Sequence, residues 1–246
     1  MTAEGILSFL YDVSLWAIPV VVAITFHEAA HGWVADRLGD DTARRLGRVT
    51  FNPLRHIDRF GTIVLPALLL ISPVPFVFGY AKPVPVNFAR LRRPKRDMVW
   101  VALAGPGTNM VLALCSVWLL RFVHFLPQPV ADWSALTLAA SVLINVILAV
   151  FNMLPLPPLD GGRVAVGLLP KALALPLARV ERWGILIVIG AMFVLPVIGD
   201  LLGLNLRVFV VLVWAPSVVV MGGIASLAGV DEDLLFGLIA FLMGHG

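Results

Sequence analysis

His27-Glu28-Ala29-Ala30-His31 is an H-E-x-x-H pattern. On a helix, positions i and i+4 share one face, so both imidazoles can reach a single ion. Glu28 follows the first imidazole by one residue and points about 100° away from it. Its carboxylate can serve as a general base beside the metal without ligating it. Zinc suits imidazole and carboxylate donors in a tetrahedral site with one open position. The competing reading is a polar helix end whose histidines only hydrogen-bond. The pattern lies inside an apolar run, residues 6–34, where ionisable groups are costly and mark function. The expectation is one Zn2+ per chain.

A catalytic zinc needs a third protein ligand. The candidate is Asp160, in Asn152-Met153-Leu154-Pro155-Leu156-Pro157-Pro158-Leu159-Asp160-Gly161-Gly162. The prolines end the preceding helix and force extended backbone. Asp160 is then presented from a non-helical turn, helped by two glycines. The alternative is Asp160 as the N-cap of a helix beginning near Gly162.

These residues must be positioned by elements that suit a lipid solvent. Of the 246 residues, 60% are hydrophobic and 13% charged, and the mean hydropathy is +0.96. A soluble domain carries about a quarter charged residues. The composition excludes a cytosolic globular enzyme, a disordered chain and a nucleic-acid module. The net charge of +3 is too small to suggest nucleic-acid binding. The lone Cys115 excludes a disulfide scaffold. Runs long enough to span a bilayer cover residues 6–34, 98–123, 134–154, 183–202 and 208–230. Residues 234–243 are too short to span and suit the interface. No independently folded soluble unit and no repeat is visible. The chain reads as one membrane-embedded domain, 1–246, with a core at 6–202 and an apolar C-terminal extension at 203–246. The fold class is an all-α polytopic membrane protein with five to six transmembrane helices.

Lys and Arg cluster at 35–60 and 81–97, while 124–133 holds none. The positive-inside rule puts both basic stretches in the cytoplasm. The proline-broken run 61–80 between them must then dip in and return, a re-entrant element. Ligand closure demands the same topology. If 61–80 crossed once, three crossings would separate His31 from Asp160, up to ~30 Å apart. If it returns, both lie toward the cytoplasmic side, with the metal roughly 10 Å deep.

With His-Glu-x-x-His and Asn-x-x-Pro-x-x-Pro-Leu-Asp-Gly together, the chain resembles the site-2 proteases, intramembrane zinc metalloproteases. It is most similar to their short bacterial branch, without PDZ or CBS domains. Asn52-Pro53-Leu54-Arg55-His56-Ile57-Asp58, Ala81-Lys82-Pro83-Val84-Pro85-Val86-Asn87 and Ala104-Gly105-Pro106-Gly107-Thr108-Asn109 add to the likeness. The resemblance implies zinc on His27, His31 and Asp160, with Glu28 as general base. It implies that Asn152 binds the substrate backbone or the oxyanion. It also implies a membrane-embedded hairpin around 61–87 that guides substrate. The implied activity is hydrolysis of peptide bonds within or near transmembrane segments. Partners would be single-span membrane proteins and the lipid bilayer of the inner membrane, with no nucleic acid. Asn109 reads as a polar helix contact near the site, and Asn145 as an interhelical hydrogen bond. His56 reads as a structural hydrogen-bonder; it and Asn109 are possible accessory residues. A divalent-cation transporter using the same His and Asp residues is the rival function, although it should show ligands at several depths and repeated halves.

Overall fold

The computed structural model describes residues 2–58, 61, 64 and 82–244. Its elements are α1 (Ala3–Arg37), α2 (Thr42–Arg45), α3 (Pro94–Leu120), α4 (Gln128–Asn152), α5 (Asp160–Leu168), α6 (Lys171–Ile189), α7 (Leu195–Leu201), α8 (Ala215–Ala228) and α9 (Glu232–Gly244). Among the described residues there is no strand. Among the described residues, five helical stretches are long and apolar enough to cross a membrane: Glu4–Arg37, Pro94–Leu120, Gln128–Asn152, Lys171–Leu201 and Val210–Ala228. The chain is an all-α polytopic membrane protein. The expected re-entrant run, 61–80, lies almost wholly outside the described residues.

Local chemistry sets the helix boundaries. The Thr2 hydroxyl caps α1 by accepting from the Gly5 N–H at 3.3 Å. At 35 residues, α1 is about 50 Å long and exceeds the hydrocarbon layer. The fourth span begins at Lys171, not at residue 183, because Arg179, Glu181 and Arg182 sit on exposed helix surface rather than ending the helix. That span runs on through a π-turn at Gly190–Val194 into α7. A second π-turn, Val210–Trp214, leads into α8. Pro196 and Pro216 each follow one of these turns by two residues. The wider turn accommodates the N–H that proline lacks.

The larger apolar core cluster among the described residues is shared by α1, α3, α4, α8 and α9, and a smaller one joins Ala35, Leu91 and Val101. Ala113, Ala139, Ala140, Ala225 and Ala228 line the larger, and such small residues let helices approach closely in lipid. The segment 234–243 does not lie apart at an interface. In α9, Leu235, Ile239 and Leu242 are buried in this same cluster. Conversely, Leu7, Phe9, Trp118, Ile185, Val197 and Val219 are exposed, as side chains facing lipid should be.

Hydrogen bonds join the described ends of the segment 38–93. The Arg92 N–H donates to the Leu38 carbonyl at 3.0 Å, joining the end of α1 to the approach to α3. The Lys82 N–H donates to the His56 carbonyl at 2.9 Å, and Arg48 Nη2 donates to the Lys82 carbonyl at 2.6 Å. Asp40, fully buried, accepts from the Asn87 N–H at 2.6 Å and from the Thr42 N–H at 3.1 Å. Residues 38 and 92 therefore lie at the same end of the bundle, with no net crossing between them.

This arrangement is testable by thiol labelling in a Cys115→Ser background. Leu54→Cys and Arg92→Cys should react from one face of sealed vesicles, and Gln128→Cys from the other. Labelling of positions 54 and 92 from opposite faces would contradict the fold.

Candidate metal centre

The Asn152–Gly162 segment folds differently from its sequence expectation. Asp160 is presented neither from a non-helical turn nor as an N-cap. It is the first residue of α5, capped by the extended backbone of Leu159 with no side-chain cap bond. Gly161 and Gly162 are helical too, and their role is close packing. A Cβ at Gly161 would lie 2.1 Å from the Met153 carbonyl oxygen, and one at Gly162 2.1 Å from Pro157 N. Gly184 on α6 admits the same loop from the other side, at 1.8 Å from the Pro157 carbonyl oxygen. The proline loop is thus clamped between two helices. The Asp160 side chain is left free of capping and turned into the bundle, 5% exposed.

His27, His31 and Asp160 converge. His27 Nε2 and His31 Nε2 are 3.0 Å apart. Each lies 3.3 Å from Asp160 Oδ2. All three residues are buried. The edges of a tetrahedral zinc site with bonds of 2.0–2.1 Å are about 3.3–3.4 Å, so the triangle has the right size. Each imidazole spends its other nitrogen elsewhere. His31 Nδ1 donates to the Val101 carbonyl at 2.7 Å, and His27 Nδ1 meets Asn109 Oδ1 at 2.6 Å. A carbonyl oxygen can only accept, so the hydrogen of neutral His31 sits on Nδ1 and its Nε2 is a bare lone pair. Asp160, buried between the two imidazoles, offers its Oδ2 as the third donor. Lone pairs facing one another at this distance call for a cation between them.

Space has been cleared for that cation. A Cβ at Gly105 of α3 would stand 2.4 Å from His31 Nε2 and 2.6 Å from His27 Nε2. Any larger residue would fill the space before the ligand atoms. The Ala104–Asn109 stretch thus contributes twice to the centre, through Gly105 and Asn109. The donor set, the edge lengths and the empty shoulder at Gly105 all fit a zinc ion. Among the described residues, this is the one cluster of three such side chains.

The other expected residues lie around this centre. Glu28 accepts from the Val84 N–H at 2.7 Å through Oε2. Pro83 and Pro85 flank that donor and have no N–H of their own, so Val84 alone of the three can hold the carboxylate. Sequence reasoning missed Val84; the Pro-Val-Pro spacing was its one signal. Asn152, at the end of α4, donates Nδ2 to the Leu148 carbonyl at 2.9 Å, which leaves its second amide hydrogen and Oδ1 unassigned. His56 stands apart from the triad. Its Nε2 is 3.0 Å from the Thr50 carbonyl oxygen, on the loop that meets Lys82.

Gly105→Ala should abolish stoichiometric zinc while leaving the helical bundle folded. Gly107→Ala, two residues on with nothing within 4 Å of its Cβ, should keep both. Metal analysis and thermal unfolding of the two purified variants check this. A Gly105→Ala protein with wild-type zinc content would show that the ion does not sit where the three ligand atoms meet.

Comparison with known proteins agrees with this geometry. The profile described as peptidase family M50 matches residues 15–131 and 123–196. The Bacillus subtilis protein named "Putative zinc metalloprotease YwhC" is 38% identical over 193 residues, covering 76% of this chain and 84% of its own length. Rip2 of Mycolicibacterium smegmatis, described in the same words, is 29% identical over 74% of this chain and 66% of its own. The regulator of sigma-E protease RseP of Salmonella typhimurium is 30% identical over 48% of this chain and 27% of its own. No solved structure gave a significant match. The chain belongs to peptidase family M50, the site-2 protease family.

Proposed function

We propose that this zinc metalloprotease works inside the bilayer, hydrolysing peptide bonds within or near the transmembrane segments of single-span membrane proteins. The observation that carries the reading is the depth of the centre. His31 contacts the carbonyl of Val101, seven residues into α3 from Pro94, which is about 10 Å along the helix. A hydrolytic centre buried at that depth among spans faces substrates that are themselves in the membrane. The end of the bundle nearest to it carries Arg37, Arg44, Arg45, Arg92 and Arg93. By the positive-inside rule, that end faces the cytoplasm, in the inner membrane of a bacterial cell.

When bound, zinc supplies Lewis acidity toward a scissile carbonyl and toward water. The chain supplies the rest. Glu28, steadied by the Val84 N–H, takes the proton of the attacking water and returns it to the leaving amine. A helical substrate hides its carbonyls in its own hydrogen bonds and must be unwound first. Residues 82–87 are non-helical and lie beside Glu28, so they offer backbone partners to an unwound strand. Asn152 keeps one amide hydrogen for the developing oxyanion, a contact worth about 3–4 kcal/mol where such donors have been removed elsewhere.

A cation transporter using the same triad would need ligands at further depths. The described residues hold a single cluster, which favours the protease. Glu28→Gln separates the two. It keeps the size and polarity of the side chain but removes the base. Zinc content should be unchanged, and cleavage of a panel of single-span substrates should fall by about 10²–10⁴-fold. A Glu28→Gln protein that cleaves at the wild-type rate would refute the role given to Glu28. Metal flux without proteolysis in the wild type would refute the function.

A further inference from the structure

The Nδ1 hydrogen bonds of the two metal-site imidazoles end differently. His31 Nδ1 meets a main-chain carbonyl directly, that of Val101. His27 Nδ1 meets Asn109 Oδ1, a side-chain amide that has a donor end as well as an acceptor end. If Asn109 turned its NH2 toward His27, Nδ1 would have to accept. The hydrogen of the neutral ring would then move to Nε2, where it would block the metal.

What stops that turn lies farther away. Asn109 Nδ2 donates to Asn145 Oδ1 at 2.8 Å and more weakly to the Ala23 carbonyl at 3.3 Å. Asn145 Nδ2 in turn donates to the Ser141 carbonyl at 2.8 Å. Both asparagines are fully buried, at 0% exposure. The Ser141 carbonyl can only accept. Asn145 must therefore keep its NH2 toward Ser141 and its oxygen toward Asn109. Asn109 must then keep its NH2 toward Asn145 and its oxygen toward His27. Two main-chain carbonyls set the direction of these bonds: that of Ala23, at the longer distance, acts on Asn109 itself, and that of Ser141 on α4 acts through Asn145, two side chains removed from the ligand.

We propose that Asn145 is a positioning residue for the metal. Through Asn109, it fixes which nitrogen of His27 carries the hydrogen, and so keeps Nε2 open as a ligand. The inference rests on the reading of His27, His31 and Asp160 as a zinc site. Metal-ligating histidines generally have such a partner on the second nitrogen, and losing it weakens metal binding about 10–100-fold.

The test is a cycle of variants, with zinc affinity measured by chelator competition on purified protein. Asn145→Leu should weaken zinc about 10–100-fold. In Asn109→Asp either carboxylate oxygen can accept from His27, so the hydrogen stays on Nδ1 whatever stands at position 145, and any cost of setting the second oxygen against Asn145 Oδ1 is read from this single variant. In that Asn109→Asp background, orientation no longer matters, so adding Asn145→Leu should cost no further affinity. Ser141→Ala, which removes a hydroxyl but leaves the anchoring carbonyl, should bind zinc like the wild type. Thermal unfolding of the zinc-free forms reports any loss of packing, and Asn145→Ala replaces Asn145→Leu if the latter does not fold. Equal weakening by the position-145 change in both backgrounds would make Asn145 a packing residue only and overturn the proposal. So would wild-type affinity in the single variant. Should the wild type bind no zinc that His27→Ala with His31→Ala abolishes, the site reading itself fails instead.

Discussion

The constraint on which the structure turns is the burial of two imidazoles and a carboxylate, with the half-buried Glu28 beside them, inside an apolar bundle. In lipid, no water is at hand to satisfy a stray polar group, and an unpaired charge there is expensive. The imidazole nitrogens that face away from the ligand point must therefore find protein partners, and those partners dictate how the helices meet. His31 needs the Val101 carbonyl and His27 needs Asn109, so α3 must lie against α1 in one register. That register brings Gly105 beside the ligand atoms, where no side chain fits. Asn109 in turn needs Asn145, which sets α4. Asp160 must reach the same point from α5, which is possible only because Gly161 and Gly162 let the proline loop fold tightly beneath it.

The apolar core does the complementary work on the other side of the bundle. Away from the metal residues, α3 and α4 join α8 and α9 through alanines and branched aliphatics with few polar contacts. Contacts of that kind hold helices together through close fit rather than through release of water. They also tolerate the two π-turns ahead of Pro196 and Pro216. The polar half of the molecule fixes register, and the apolar half supplies the area that keeps the bundle together. The C-terminal helix belongs to the second half, since it lends Leu235, Ile239 and Leu242 to the core and none of the ligands.

Much of the candidate site was legible because its chemistry is local. His27 and His31 share a helix face by spacing alone, and a cluster of ionisable groups in an apolar run stands out against its surroundings. That the two basic stretches share one end of the bundle was legible because arginine and lysine are unevenly placed, and the hydrogen bond between Arg92 and Leu38 joins their described ends. What could not be read was anything set by the register between distant segments. Gly105 is one glycine among 21, and nothing local says that its missing Cβ faces two imidazoles. Val84 looks like any strand residue until Glu28 is found beside its N–H. Asp160 was expected on a turn because prolines precede it. The helix nonetheless starts at Asp160 itself, since tertiary packing of the loop against Gly161, Gly162 and Gly184 permits it.

The placement of Glu28 shows how one geometry can serve both order and chemistry. It sits next to His27 in sequence but is bonded to the Val84 N–H and not to a ligand. A carboxylate that only packed would be better replaced by an apolar residue at this depth, because burying it costs more than one hydrogen bond returns. A carboxylate that ligated metal would need to turn toward the triad. Glu28 does neither. A single bond from a proline-flanked donor holds it beside the centre and leaves its other oxygen available for a proton. That bond also ties Glu28 to residues 82–87, which are non-helical. Under the mechanism proposed above, a strand docking there would press on the same backbone that orients Glu28, which would couple substrate binding to alignment of the base.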